Sequence, residues 1–257
     1  MSQIQRYRRA LSARWLAVRL GITGRYYQFG EISALRRFIA HFGVDCIFDV
    51  GANAGQYATM LRKDVGYKGP ILSFEPNPDV YASLKQLASG DANWHVYDIA
   101  LTDFDGETTF NIMAHDQFSS INKPNSDLEP LFAQLNNVVR SVPVTCRKLD
   151  SLFPELEPAR GAKAILLKMD TQGHDASVCA GAPQVLKIVA GAQSELAVRQ
   201  LYAGGTDWRD MIALLDKAGF VPSALFPNNK GHFPLLFEID GLFARKDLTE
   251  DGHITSA

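Results

Sequence analysis

The stretch FDVGANAG, Phe48 to Gly55, decides how this chain folds. Cys46 to Gly51 is β-rich and continuously apolar apart from one acid. It predicts a strand buried on both faces, with Asp49 delivered at its carboxyl end. Gly51 and Gly55 then permit a tight turn and a close approach of backbone to a ligand. Gln56 to Lys63 reads as a helix, so its free N–H groups point back at the turn. Strand, glycine turn and helix together mark the sheet edge where open α/β folds bind ligands. The spacing is GxNxG rather than GxGxxG, and no P-loop lysine follows, which disfavours dinucleotides and nucleoside triphosphates. The turn alone marks no particular ligand, because many such turns use glycine for geometry only.

Outward from this turn, short apolar runs alternate with helical stretches. Ile71 to Pro76, Trp94 to Leu101, Ala164 to Asp170 and Val189 to Leu196 predict strands. Asp79 to Ala88, Ala176 to Lys187 and Asp207 to Ala218 predict helices, the last stopped by Gly219. Thr108 to Met113 and Val142 to Arg147 read as two strands paired with each other. Val221 to Phe226 and Leu235 to Phe243 read as a closing hairpin around Asn228, Asn229, Lys230 and Gly231. Alternation of this kind implies a mostly parallel sheet covered on both faces. The division is an N-terminal helical cap over residues 1–44, the main domain over 45–247 and a flexible tail over 248–257. The polar stretch from Ala114 to Ser141 is long for a connection; Ser119, Ser120 and Asn122 in it read as a lid or as a solvated loop.

Composition bounds the function. The 257 residues are 46% hydrophobic and 21% charged, enough for a real core. A net charge of -2 gives no global field for nucleic acid. Cys46, Cys146 and Cys179 show no metal spacing and read as reduced thiols of a cytoplasmic protein. No run spans a bilayer, and nothing near the start resembles a cleavable signal. Arg6, Arg8, Arg9, Arg14, Arg19 and Arg25 all precede the first acid, Glu31, with Tyr7, Leu11, Trp15, Leu16, Val18 and Leu20 interleaved. This is either a helix capping the domain or a basic amphipathic helix in weak contact with the inner face of an anionic membrane.

Two acids add chemistry. Glu75, at the end of the second strand, follows Gly51 by 24 residues, near the ~20-residue offset at which an acid reaches ribose hydroxyls. The bland reading is a helix cap. Asp98, ending the third strand, is either an acceptor from an adenine amino group or an ordinary turn aspartate. FDVGANAGQY, FEPNP, VPVTCRKLD, KMDTQGHD, Glu195 and EIDGLFAR follow in one order between Cys46 and Arg245. In letters, order and spacing they resemble the FkbM-type family of S-adenosylmethionine-dependent methyltransferases. The resemblance implies a class I methyltransferase fold: α/β, Rossmann-like and doubly wound, a mostly parallel seven-stranded sheet with an antiparallel last strand. It implies that Asp49, Gly51, Asn53, Gly55 and Glu75 hold the cofactor, to which the residue reading adds Asp98 and Ser120. It also implies O-methylation, often of a sugar or polyketide hydroxyl. The chain departs from the family pattern at Gln172, where many relatives carry Glu, and at Asp175, where Glu is commoner.

Lys168 to Asp175 follows the buried fourth strand and brings Lys168, Asp170, His174 and Asp175 to one turn. Methyl transfer to oxygen needs the acceptor placed in line and its proton removed. His174 is the natural base; the bland reading is a helix-start residue bonding backbone. Asp170 orients His174 or sits near the sulfonium. Lys168 reads as an ion pair with Asp170 or Glu195. Glu195, ending the fifth strand, is a second candidate base, with Gln193 and Arg199 beside it. The site is read as metal-free, the alternative being Mg²⁺ held by Asp170, Glu195 and a third acid. The expected acceptor is a hydroxyl of a sugar or glycolipid; the alternatives are a lipid or polyketide hydroxyl, and a nucleotide- or dinucleotide-binding enzyme on a similar sheet.

Overall fold

A computed structural model describes residues 3–125, 137–227 and 234–249. The expected turn at Asn228 to Gly231, part of the long polar stretch and most of the tail lie outside the described residues.

The N-terminal segment forms helices α1 (Gln3–Ile22) and α2 (Phe29–Phe42). The main sheet takes β1 (Cys46–Val50), β2 (Ile71–Phe74), β3 (Trp94–Tyr97), β7 (Ile165–Met169), β8 (Val189–Ala197), β9 (Phe220–Pro227) and β10 (Glu238–Arg245). A smaller sheet takes β4 (Ala100–Leu101), β5 (Gly106–Met113) and β6 (Val138–Arg147). Helices α3 (Gln56–Met60), α4 (Pro78–Ala88), α5 (Leu149–Leu152), α6 (Asp175–Ala180) and α7 (Trp208–Lys217) connect them.

Spatial order in the main sheet is β3-β2-β1-β7-β8-β10-β9. β1, β2, β3, β7 and β8 run parallel, and β10 lies antiparallel between β8 and β9. This is the expected doubly wound sheet with its last strand reversed. Every residue of β1, β2 and β7 is buried, as strands covered on both faces require. One apolar layer gathers Phe48, Phe74, Leu167, Phe220 and Phe243 with α5, α6 and α7. The other gathers Ile47, Ile71 and Leu166 with α1 to α4. Each such fully buried side chain contributes about 1.5–3 kcal/mol of transfer free energy.

Three expectations need correction. Trp94 to Leu101 is not one strand. The chain leaves the main sheet after Tyr97, which stacks on Phe74 at 5.1 Å, and Ala100–Leu101 pairs with Cys146–Arg147 in the smaller sheet. Ala176 to Lys187 is not one helix either. α6 ends at Ala180, because Gly181 presses on the Thr102 carbonyl where a Cβ would meet it at 1.9 Å, and Pro183 cannot continue the ladder. The helix after the glycine turn also widens: Leu61–Val65 is a π-turn. The pairing of β5 with β6 is as expected.

α1 packs one face against the domain. Leu16 and Leu20 are buried, and Arg19 and Arg25 both pair with Asp64, itself buried in that π-turn. The opposite stripe, Leu11, Trp15, Val18 and Ile22, is exposed.

Candidate active site

A cavity of about 550 Å³ opens at the carboxyl ends of the parallel strands. It straddles β1 and β7, where strand order reverses and open sheets form their binding crevice. One half is walled by Gly51 to Asn53, Phe74 to Pro76 and Ile99 to Leu101. The other half is walled by Glu31, Gln193, Glu195, Glu238 and Asp240. Lys168, Asp170, Gln172 and His174 stand between them.

The glycine turn works by backbone contact. Gly51 has φ +74°, and a Cβ there would lie 1.9 Å from the Asp170 carbonyl oxygen. The close approach is therefore between two loops of the protein, which builds the cavity wall. Gly55 also has positive φ, +80°, but packs on Leu84 and Trp94 at the start of α3 and does not line the cavity. Asn53, at φ +45°, does line it.

Glu75 is 5% exposed and accepts backbone N–H bonds from Asn53 at 2.7 Å and Asn77 at 2.8 Å. It thus ties the glycine turn to β2. Burial raises its carboxyl to about 7, outweighing those two bonds and Lys168. Each carboxylate oxygen keeps a lone pair for a donor on the cavity side. Gly51, Asn53 and Glu75, with Ile99 flanking, fit a nucleoside. Glu75→Gln removes the charge that two ribose hydroxyls would bind. It is expected to weaken S-adenosylhomocysteine binding by about tenfold in calorimetry, the size of one charge-assisted bond. Wild-type affinity should itself fall as pH drops below about 7, because the protonated carboxyl loses acceptor capacity.

Besides Gly55, three more expected cofactor residues stand outside the cavity lining. Asp49 is fully buried behind the wall; it accepts from Ser73 Oγ at 3.1 Å and lies 3.4 Å from Lys168 Nζ. Asp98 is exposed and outside the lining, although Ile99 and Ala100 beside it are in it. Ser120 is buried and donates to the Gln172 carbonyl at 2.9 Å. Asn122 donates to the Gly173 carbonyl at 2.9 Å. These two clamp the segment after β5 onto the loop after β7, while Ser119 lines the cavity.

Lys168 is the central cation. Its Nζ lies 3.3 Å from Asp170 and 3.4 Å from Asp49, above the Tyr57 ring. Burial pulls its pKa down, yet Asp170 and Asp49 push it further up, so it stays charged. The expected Asp170 pair is present. Glu195 is reached through Gln172, whose Nε2 donates to Asp170 at 2.8 Å and to Glu195 at 2.9 Å. Asp175 faces away, accepting from the Thr171 backbone N–H and hydroxyl and from Ser194.

His174 lines the cavity, and its Nε2 is buried without a hydrogen bond among the described residues. Burial lowers its pKa, with Asp103 opposing. Asp170 contacts Lys168 and Gln172, and His174 Nε2 makes no hydrogen bond to it. Arg199 is exposed and outside the lining.

Glu31, Tyr57, Glu238 and Asp240 are among the lining residues that sequence reasoning missed. Tyr57 hydroxyl donates to Gln193 Oε1 at 2.7 Å, and Gln193 Nε2 donates to Glu31 at 2.8 Å. The signal for Glu238 and Asp240 was their i, i+2 spacing, which puts both on one face of a strand. Glu31 left no signal, because α2 reaches the site only through tertiary packing. Among the described residues, no three His, Cys, Asp or Glu side chains are placed to hold a metal ion.

The model of the methyltransferase FkbM domain matches residues 49–222. The 2-O-methyltransferase NoeI of Sinorhizobium fredii is 26% identical over 189 residues, covering 70% of this chain and 74% of that protein. An FkbM methyltransferase of Methylobacillus flagellatus superimposes with a TM-score of 0.48 at 13% identity, over 78% of this chain. This chain covers 43% of that protein's length, less than half. Magnesium protoporphyrin IX methyltransferase of Synechocystis with bound SAH superimposes at 0.45 with 9% identity, over 86% of this chain and 84% of its own. The family match sets aside the dinucleotide-enzyme alternative: with its glycine turn and acid-lined cavity, this chain belongs to the FkbM methyltransferase family and is an S-adenosylmethionine-dependent methyltransferase.

Proposed function

We propose that the chain methylates a hydroxyl of a sugar or glycosylated small molecule, with residues 45–247 as the catalytic domain, 1–44 as its cap and 248–257 as a tail. The observation that carries this reading is the cavity half formed by Glu31, Gln193, Glu195, Glu238 and Asp240. Carboxyl and amide groups at several angles suit a polyhydroxyl ligand. The relative named for 2-O-methylation supports oxygen as the acceptor atom.

When bound, S-adenosylmethionine supplies an electrophilic methyl. Gly51, Asn53 and Glu75 would hold its nucleoside, and Asp170 would offer negative charge to the sulfonium. His174 takes the acceptor proton: burial favours its neutral form, as a base requires. Glu195 and Asp170 accept from acceptor hydroxyls and orient the nucleophile. His174→Ala should lower turnover about a hundredfold, the usual contribution of a general base, and leave S-adenosylhomocysteine affinity near wild type. If turnover holds, Glu195 is the base, and Glu195→Gln will then show the larger loss. A screen of sugars and lipid glycosides with labelled methyl donor tests the reading as a whole; label on none of them sinks it.

A second reading, a lipid-linked or polyketide acceptor at the inner face of a membrane, is favoured by α1. Trp15 is 74% exposed and Ile22 82% exposed, on one stripe with Leu11 and Val18, beside arginines. No described helix is long and apolar enough to cross a membrane, so this contact lies at the surface. Co-sedimentation with anionic but not zwitterionic vesicles, lost in Trp15→Glu, is the result it requires.

A further inference from the structure

We propose that Gln172 is a positioning residue for methyl transfer: its side-chain amide holds Asp170 and Glu195 as a fixed pair of acceptors for the substrate hydroxyl. The inference rests on the proposed role of that pair. Its geometry is independent of it. The two N–H groups of one amide nitrogen reach Asp170 Oδ1 at 2.8 Å and Glu195 Oε2 at 2.9 Å. The amide oxygen accepts from Tyr202 hydroxyl at 2.7 Å. The hydroxyl also lies 3.0 Å from the Phe118 carbonyl. It has one proton, and the shorter contact is to the amide. Tyr202 therefore sets which way round the amide sits, with its nitrogen toward the acids.

The backbone marks the same residue. Gln172 has φ +54°, a conformation a non-glycine residue adopts at a cost. The next residue, Gly173, has φ +85° against the Tyr202 side chain. Ser120 and Asn122 hold the carbonyls of Gln172 and Gly173. The loop is thus braced from three sides in the shape that aims this side chain between two strands.

The electrostatics show what a neutral amide accomplishes. The charges that act on Glu195 come from Lys168 on β7, Asp170 just after it, Glu238 and Asp240 on β10, and Asp175 at the start of α6. Burial, then Asp170, Glu238, Asp240 and Asp175, push the Glu195 carboxyl well above the ordinary range. Hydrogen bonds to the ionised form act the other way. Glutamate at this position would bring a third carboxyl to the same point. Glutamine bridges the two acids with hydrogens and adds no charge.

The test is the pH profile of kcat/KM for an acceptor found in the screen, in wild type, Gln172→Gly and Gln172→Glu. Glycine suits positive φ, so Gln172→Gly keeps the loop shape while deleting the amide. Its acidic limb should move to higher pH by about one unit, the effect of losing one charge-assisted bond. KM for the acceptor should rise, with S-adenosylhomocysteine affinity unchanged. Gln172→Glu should move the limb further the same way. Tyr202→Phe should give a smaller shift in that direction. A limb that stays put in both Gln172 variants, or a fall in kcat with no change in profile, overturns the proposal. An acceptor methylated by wild type with unmoved limbs sinks this inference alone. No methylated acceptor at all sinks the functional reading beneath it.

Discussion

Gly51→Ala is expected to destroy cofactor binding and destabilise the domain by about 2–5 kcal/mol. Two terms add. An alanine forced to positive φ costs about 1–2 kcal/mol, and overpacking a tight contact costs about 1–3 kcal/mol more. The contact cannot relax by a side-chain rotation, because the added Cβ meets the backbone carbonyl of Asp170 at 1.9 Å. The β1 turn or the β7 turn must move, and both wall the cavity. Thermal unfolding should fall by roughly 5–20 °C for a domain of this size, and calorimetry should detect no S-adenosylhomocysteine binding. Gly55→Ala is the control. It has φ +80°, and its Cβ would touch the end of the Leu84 side chain at 2.7 Å, with the Trp94 ring at 3.0 Å. It should cost stability while leaving measurable affinity. Equal binding by wild type and Gly51→Ala would show that the two loops do not need this contact.

Lys168→Met should be the most damaging substitution of a charge, at about 3–5 kcal/mol, the cost of leaving a buried ion without its partner. Asp49 has no solvent exposure, and among the described residues Lys168 is its only counter-charge in contact. The pH dependence has a definite sign. Burial already holds the Asp49 carboxyl above its ordinary value, despite Lys168 and Ser73. Without Lys168 it rises further. A carboxyl raised in the folded state contributes stability present below its unfolded pKa and lost as pH rises through the folded one. The deficit of the variant against wild type should therefore be greatest at neutral pH and shrink toward pH 4. Urea unfolding at pH 7 and pH 4 measures it. Adding Asp49→Asn removes the stranded charge, so the double variant should recover part of the loss. A pH-independent deficit would place the cost in lost packing on Tyr57 instead.

The sequence made the cofactor side of the cleft legible because that side is local. A buried strand, a glycine turn and a helix start lie within a dozen residues, and Glu75 follows at a spacing set by one β-α-β crossover. The acceptor side was only half legible. Lys168, Asp170, His174 and Glu195 announce themselves at strand ends. Glu31 comes from α2 and Asp240 from β10, and nothing in their neighbourhoods says that they meet. Asp98 shows the opposite failure: a strand-end acid in the expected place, turned to solvent because the chain bends there to join a second sheet.

By itself the sequence determined the alternation of strands and helices, the buried character of β1 and β7 and the glycine turn, and its motifs carried the family resemblance. The first three follow from hydrophobic period and from residues whose backbone preferences act over a few positions, the last from the letters, order and spacing of the motifs. Only the tertiary structure decided what Phe48 to Gly55 does with its glycines. Gly51 serves a contact with Asp170, more than a hundred residues away, and Gly55 packs on Leu84. It also decided that Gln172 bridges Asp170 and Glu195, and that Lys168 answers Asp49 from the neighbouring strand. Such pairings are set by sheet register and loop packing. Those depend on the whole core and leave no local mark in the chain.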